Sequence, residues 1–257
     1  IQAMAGITDT VDIMSGDIAR KSRDQADSVL TEAICRASGP AIDWLCGKHA
    51  VDLTLVEGFL YPGHSCLRMH APPSRQGSDL MDNLCDAVGR AGIDLMAGAH
   101  VTNLFADNSG KIHGVQVGRP DGAVETIGCR ALVLACNGFG GNATMVHNNI
   151  PDMDHAMYFG HPGNQGDAVL WGRALGARLR HLGSYQGHGS VAHPHAILIS
   201  WALMMEGGIQ LNARGRRFSN EHDGYSEQAR RVLAQPGGLA WTVYDERQRD
   251  LALGFED

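Results

Sequence analysis

Residues 58–77 form a stretch rich in Gly, Pro, His and Ser, and they carry His64, Ser65, Arg68 and His70. So many hydrogen-bonding and titratable groups in one such loop are poorly explained by packing and point to a binding surface. A loop of this length is itself a functional signal. A second pattern, Gly138-Phe139-Gly140-Gly141-Asn142-Ala143, has the GxGxxA form of a turn that offers a helix N-terminus to a pyrophosphate. It lacks the acidic residue about 20 positions on and the second strand that complete the motif. A plain strand-to-helix turn is therefore the stronger reading, and direct NAD binding the weaker. His193 and His195 flank Pro194 like a metal pair, but no third ligand stands at a recognisable spacing, so no metal is expected. Arg214, Arg216 and Arg217 crowd a hairpin tip, where solvated charge is the default.

The elements that must hold these residues follow from hydrophobic period. Val29, Leu30, Ala33 and Ile34 predict a helix over 24–37, and Gly39-Pro40 restarts a short one that ends near Gly47. A short strand is expected at 52–56. Ser78 is the expected N-cap of a helix over 79–91. Strand-like segments at 93–96, 101–106, 112–117 and 124–127 are separated by turn sequences such as Asn108-Ser109-Gly110 and Pro120-Asp121-Gly122, which are hairpin signals. Residues 131–135 are apolar throughout, as in a buried parallel strand. A helix at 166–177 turns Val169, Leu170, Ala174 and Leu175 inward. A hairpin pairs 209–211 with 217–219, a helix runs over 225–234, a strand over 239–244, and Asp245 caps a last helix. A soft boundary falls near 150–160.

The 257 residues are 44% hydrophobic, enough for a substantial core, and the 33 glycines suit an α/β protein with many tight turns. A net charge of −7 gives no bulk attraction to nucleic acid or to anionic membrane. No apolar run approaches a bilayer span and no secretory start is evident. Six scattered cysteines without a CxxC pair read as free thiols of a cytoplasmic protein. Ile1 is not an initiator, so the chain reads as an internal piece of a longer protein.

The ordered segments LVLACNGFGGN (132–142), GDAVLWGRALGA (166–177) and EGGIQLNARGRRFSNE (206–221), with AIDWL at 41–45 and LRMHAP at 67–72, resemble the flavoprotein subunits of the fumarate reductase/succinate dehydrogenase family, which includes 3-ketosteroid and tricarballylate dehydrogenases. The resemblance spans essentially the whole chain. It implies an α/β fold. Residues 1–150 would be the later part of a split-Rossmann, glutathione-reductase-like FAD domain with a β-meander. Residues 151–257 would be the first part of an α+β capping domain. The family's opening glycine loop would precede Ile1. FAD is the implied cofactor, touched by backbone near Val101 at the adenine, by Cys136, Asn137, Gly138 and Gly140 near the flavin, and by Glu221.

By the same resemblance, the substrate-binding His matches His188 and the hydroxyl matches Ser200. The loop residues His64, Arg68 and His70 lie near the flavin. The family's acid stands at Trp201, and its proton-donating Arg at Tyr225. A phenol can move protons, whereas an indole cannot. These departures favour dehydrogenation or ene-reduction of a substrate less charged than a dicarboxylate, either an organic acid or a steroid-like enone. Tyr225 would move the proton, and His188 and Ser200 would orient the carbonyl. The electron partner is left open. The rival reading is a non-catalytic or truncated module that binds a ligand or partner without holding FAD.

Overall fold

The computed structural model describes residues 1–58 and 60–253. Phe59, in the expected loop, and residues 254–257, in the expected capping segment, lie outside them. Helix α1 (Val11–Ser22) begins where the Thr10 hydroxyl accepts the Ile13 N–H at 3.1 Å, and it carries Asp12 in its first turn and Arg20 and Lys21 in its last. This matches charge to the helix dipole. Val11, Met14 and Ile18 follow helical spacing, a signal that the sequence reading passed over. Helix α2 (Ser28–His49) starts four residues later than expected, where Asp27 caps the N–H groups of Val29 and Leu30. It then runs straight through Pro40. The expected break is absent, although an interior proline costs about 3 kcal/mol; α2 packs along α1, and tertiary contact outweighs local preference.

Strands β1 (Thr54–Leu55) and β2 (His70–Ala71) pair antiparallel, Thr54 with Ala71 and Leu55 with His70. They clip together the ends of residues 56–69, so the expected loop over 58–77 holds a short strand. Helix α3 (Gly77–Arg90) starts after Gln76, so Ser78 lies within its first turn rather than at the cap. Strands β3 (His100–Ala106), β4 (Ile112–Gly118) and β5 (Val124–Gly128) form the expected meander in the order β3-β4-β5. The Asp107 carboxylate closes the first turn by accepting from Ser109 N at 2.8 Å and Lys111 N at 3.2 Å.

Two strand expectations fail. Residues 93–96 and 131–135 are not strands, and Leu95 and Val133 are 73% and 84% exposed. No strand among the described residues pairs with either segment, and without a ladder an apolar run has nothing to bury it.

Helix α4 (Ala143–Asn149) is capped by Asn142, which accepts the Met145 N–H at 3.0 Å. Its buried Met145 joins Phe139 and Ile150 in a core ringed by Val146, Met153, Val169 and Leu182. Helix α5 (Asp167–Ala174) has two turns, so only Val169 of its four expected inward residues reaches that core, while Leu170 and Leu175 stay exposed. Strands β6 (Val191–Ala192) and β7 (Ile197–Leu198) pair, and helix α6 (Ala202–Met205) follows with Ala202, Leu203 and Met204 buried. Strand β8 (Ile209–Leu211) pairs chiefly with β9 (Trp241–Val243). The expected hairpin to 217–219 shrinks to one bridge between Leu211 and Arg217, because Asn212 gathers the Arg214 and Arg216 N–H groups into a tight turn. Helices α7 (Tyr225–Leu233) and α8 (Glu246–Leu253) complete the chain, and Asp245 caps α8 through the Gln248 N–H at 2.9 Å. No helix among the described residues is long and apolar enough to cross a membrane.

Candidate active site

The rings of Tyr225 and His188 stack with centroids 5.3 Å apart and planes 23° from parallel. Trp201 stands edge-on to both, 5.8 Å from His188 and 6.4 Å from Tyr225. Tyr61 meets Tyr225 edge-on at 5.8 Å and brings His64 to 6.0 Å of its own ring. Five rings from four separate segments thus converge, and this brings together Tyr225, His188 and His64 of the residues expected at the site. The Gln186 amide donates to the Tyr225 phenol oxygen at 3.0 Å, which leaves the phenol's own hydrogen to be given elsewhere. The Ser190 N–H donates to His188 Nδ1 at 3.3 Å, which assigns the proton of the neutral ring to Nε2. Burial pushes the His188 imidazole below the ordinary histidine value, and burial does the same to His64 with help from the Arg68 charge.

Local backbone chemistry fixes this arrangement. Gly224, at φ +125°, adopts a conformation open only to glycine and delivers Tyr225 to the first position of α7. The segment bearing His188 is bound to that helix by Gly187 N to Ser226 Oγ and by Gly189 N to Tyr225 O, each at 3.0 Å. A Cβ on Gly187 would sit 2.6 Å from the Ala229 Cβ, and one on Gly189 2.8 Å from the Gln228 side chain and 2.9 Å from its backbone. Gly189→Ala is therefore expected to cost about 1–3 kcal/mol through overpacking, read as a lowered midpoint in urea unfolding with an unchanged slope.

Two polar networks lie behind the rings. In the first, the Arg68 guanidinium grips Asp9 through Nε at 2.6 Å and Nη2 at 3.0 Å, and Asp17 through Nη1 at 2.6 Å. Ser65 donates to Asp17 through its hydroxyl at 2.5 Å and its backbone N–H at 2.8 Å, and Arg20 pairs with the same carboxylate. Burial works to raise the Asp17 carboxyl, yet the bonds from Ser65, Arg68 and Arg20 hold it well below the usual range. The loop carrying Tyr61 and His64 is thereby fastened to α1. In the second network, the fully buried Glu221 accepts from Gln210 N at 2.8 Å and from Arg217, while Gln228 bonds Gln210 and Ser219. Lys21 joins the two halves, reaching Glu227 at 2.7 Å and the Asp223 carbonyl at 3.0 Å.

The remaining expected residues sit apart from the rings. Arg68 spends its guanidinium on two carboxylates, and His70 Nδ1 bonds the Arg68 carbonyl at 2.9 Å. Ser200 adjoins Trp201, its hydroxyl accepting the Ala202 N–H at 3.3 Å. Val101 is half-buried in β3, while Cys136, Asn137 and Gly138 form an exposed turn with Asn137 left-handed at φ +61°. The Cβ space of Gly140 is taken by the Tyr158 ring, and that of Gly141 by the Pro162 carbonyl at 2.7 Å, so these two serve close packing of protein on protein, whereas the space beside Gly138 is open. Sequence reading missed Tyr61, Gln186, Asp9 and Asp17. The neighbouring Gln186-Gly187-His188-Gly189 run was the one available signal. Trp201 was visible only as a missing acid.

The gathered rings offer flat apolar surface with polar edges, an arrangement suited to a flat organic ligand. The chain belongs to the family described as FAD binding domain, whose model matches residues 1–242, and FAD is its cofactor. Among similar proteins, "Probable fumarate reductase Ifc3" of Shewanella frigidimarina is 27% identical over 250 residues, covering 96% of this chain and 42% of that protein. The open conformation of a flavocytochrome c3 fumarate reductase superposes with a TM-score of 0.83 at 26% identity, covering 98% of this chain and 45% of that one. A 3-ketosteroid-Δ4-(5α)-dehydrogenase from Rhodococcus jostii RHA1, in complex with 4-androstene-3,17-dione, shares the fold at a TM-score of 0.72 and 20% identity, over 96% of this chain and 56% of that one. The chain spans less than half the length of the fumarate reductase relatives.

Proposed function

We propose that this chain supplies the substrate site of an FAD-dependent oxidoreductase that reduces or dehydrogenates a carbon–carbon bond next to a carbonyl or carboxylate. The observation that carries this reading is the stacked Tyr225–His188 pair, with Gln186 on the phenol and the His188 Nδ1 occupied by a backbone N–H. When bound, FAD supplies two-electron hydride chemistry. In the reducing direction Tyr225 gives its phenolic proton to the carbon α to the carbonyl and is reprotonated from solvent; in dehydrogenation it takes that proton. His188 Nε2–H donates to the carbonyl oxygen and stabilises the negative charge that builds there. Ser200 stands next to Trp201 in sequence, and Tyr61, with His64 beside it, shields the Tyr225 ring edge-on from water. Arg68 and His70 act one step back, as the fastening of the loop.

The residues present fit FAD. The exposed apolar run at 131–135 leads into the exposed backbone turn at Cys136, Asn137 and Gly138, offering apolar surface and peptide groups side by side, as a flavin edge requires. Backbone at Val101 would hold the adenine. Gly140 and Glu221 belong to the framework, since protein atoms already fill their surroundings. In this reading residues 1–150 serve the cofactor and 151–257 the substrate, with Tyr61 and His64 crossing over. The test is the visible spectrum of the protein after incubation with FAD and desalting. Retained flavin absorption that shifts on adding a conjugated carbonyl compound supports the proposal, and flavin that stays indifferent to every such compound refutes it.

A further inference from the structure

Asp17 and Lys21 stand four residues apart on α1, a spacing that puts both side chains on one face of the helix. Asp17 holds the loop through Ser65 and Arg68. Lys21 reaches the other way. Its ammonium meets the Glu227 carboxylate at 2.7 Å and donates to the Asp223 carbonyl at 3.0 Å. These two acceptors flank Gly224, whose φ of +125° lets the chain turn into α7. One cation thus staples both sides of a permissive backbone position immediately before Tyr225.

The backbone around the lysine leaves room for it. A Cβ on Gly63, at φ +91°, would come within 3.2 Å of the Lys21 Cδ, and one on Gly224 within 3.4 Å of its Nζ. Gly63 lies between Tyr61 and His64, so the lysine stem packs against the loop that carries those rings to Tyr225. Bonds from Gly187 and Gly189 already fasten the His188 segment to α7, so Tyr225 and His188 form one unit. Those bonds leave open where the unit sits against residues 1–150. The Lys21–Glu227 pair is exposed on both sides and adds little to stability, so placement is the role that its geometry supports.

We infer that Lys21 is a positioning residue: by bridging Asp223 and Glu227 across Gly224, it sets the Tyr225–His188 pair against the loop that carries Tyr61 and His64. Its consequence for turnover rests on the oxidoreductase reading, while the placement itself does not. Helix α1 then acts as a ruler, with the loop held at Asp17 and the start of α7 held at Lys21. Lys21 touches no reacting atom. It governs the rate through alignment, since a proton donor displaced by about 1 Å can lose on the order of a hundredfold.

The test joins two readouts for the wild type, Lys21→Met and Lys21→Arg. The first is fluorine NMR of the chain labelled with fluorotyrosine, in which the Tyr61 and Tyr225 resonances are identified by their loss in Tyr61→Phe and Tyr225→Phe. The second is flavin reoxidation when the reduced, FAD-loaded protein is mixed with benzylideneacetone. Met keeps most of the stem beside Gly63 and removes the ammonium, whereas Arg keeps a cation within reach of both acceptors. Lys21→Met is expected to shift the Tyr61 and Tyr225 resonances and to leave those of Tyr158 and Tyr244 in place. It should lower the saturated reoxidation rate about tenfold, with the half-saturating concentration within about twofold. Its melting temperature should stay within about 3 °C of the wild type, as for any exposed ion pair. Lys21→Arg is expected to return both resonances and to bring the rate within about threefold of the wild type. Unmoved resonances in Lys21→Met, or a Lys21→Arg as impaired as Lys21→Met, would overturn the assignment. The fluorine readout needs neither flavin nor substrate. If the resonances move while Tyr225→Phe turns over normally, the placement by Lys21 stands and the oxidoreductase reading falls. If Tyr225→Phe abolishes turnover while Lys21→Met changes neither readout, that reading stands and the role of Lys21 falls.

Discussion

Replacing Tyr225 with Phe is expected to lower turnover about 10²–10⁴-fold, the range that a positioned proton donor contributes, while substrate affinity changes little. The phenol makes one observed side-chain hydrogen bond, to Gln186, and its ring contacts survive the substitution. The loss should therefore appear in kcat with KM nearly constant, the signature of an interaction made only in the transition state. Gln186 is exposed and can turn to water, so urea unfolding of Tyr225→Phe should shift by no more than about 1 kcal/mol. A comparable fall in stability and turnover would mean that the ring is structural.

Arg68→Met is expected to be the most destabilising single change, at about 3–5 kcal/mol, because it strands two carboxylates in a buried setting. The Arg68, Asp9 and Asp17 side chains are 8%, 12% and 4% exposed. For a chain of this size that loss is a fall of roughly 6–20 °C in melting temperature. The pH dependence carries the sign. The Arg68 hydrogen bond, as the largest influence, pulls the Asp9 carboxyl down, and Asp17 is held down by its several donors against its own burial. A depressed carboxyl contributes stability that is fully present above the unfolded value of about 3.9 and is lost as pH falls through the folded value. The wild type should thus lose stability below about pH 4. In the variant the stranded carboxyls protonate readily, so the gap between the two proteins should be widest near neutrality and narrow in acid. Melting curves across that range check both claims.

The sequence was most legible where local chemistry decides the outcome. The meander with its Asx-type turns, the helix starting at Tyr225 and the cap at Asp245 all rest on short-range signals, and each is present. It was least legible where burial depends on distant partners. Residues 131–135 look like a buried strand only if a neighbour pairs with them, and α2 passes Pro40 because α1 supports it. The site divides the same way. His188 and Tyr225 stood in recognisable surroundings, whereas Tyr61 is more than 160 positions from the ring it meets, and no spacing rule reaches that far. Arg68 read as a binding residue because its partners, Asp9 and Asp17, stand 59 and 51 positions away in the chain.

The reading that joins these elements is that the Tyr225–His188 ring cluster transfers a proton opposite a flavin. Its most direct test is anaerobic mixing of the reduced, FAD-loaded protein with benzylideneacetone while the visible band of oxidised flavin is followed. The account predicts that the band returns stoichiometrically with formation of the saturated ketone, and that Tyr225→Phe slows this step at least a hundredfold. A flavin that stays reduced in the presence of enones, cinnamate and fumarate alike would contradict it.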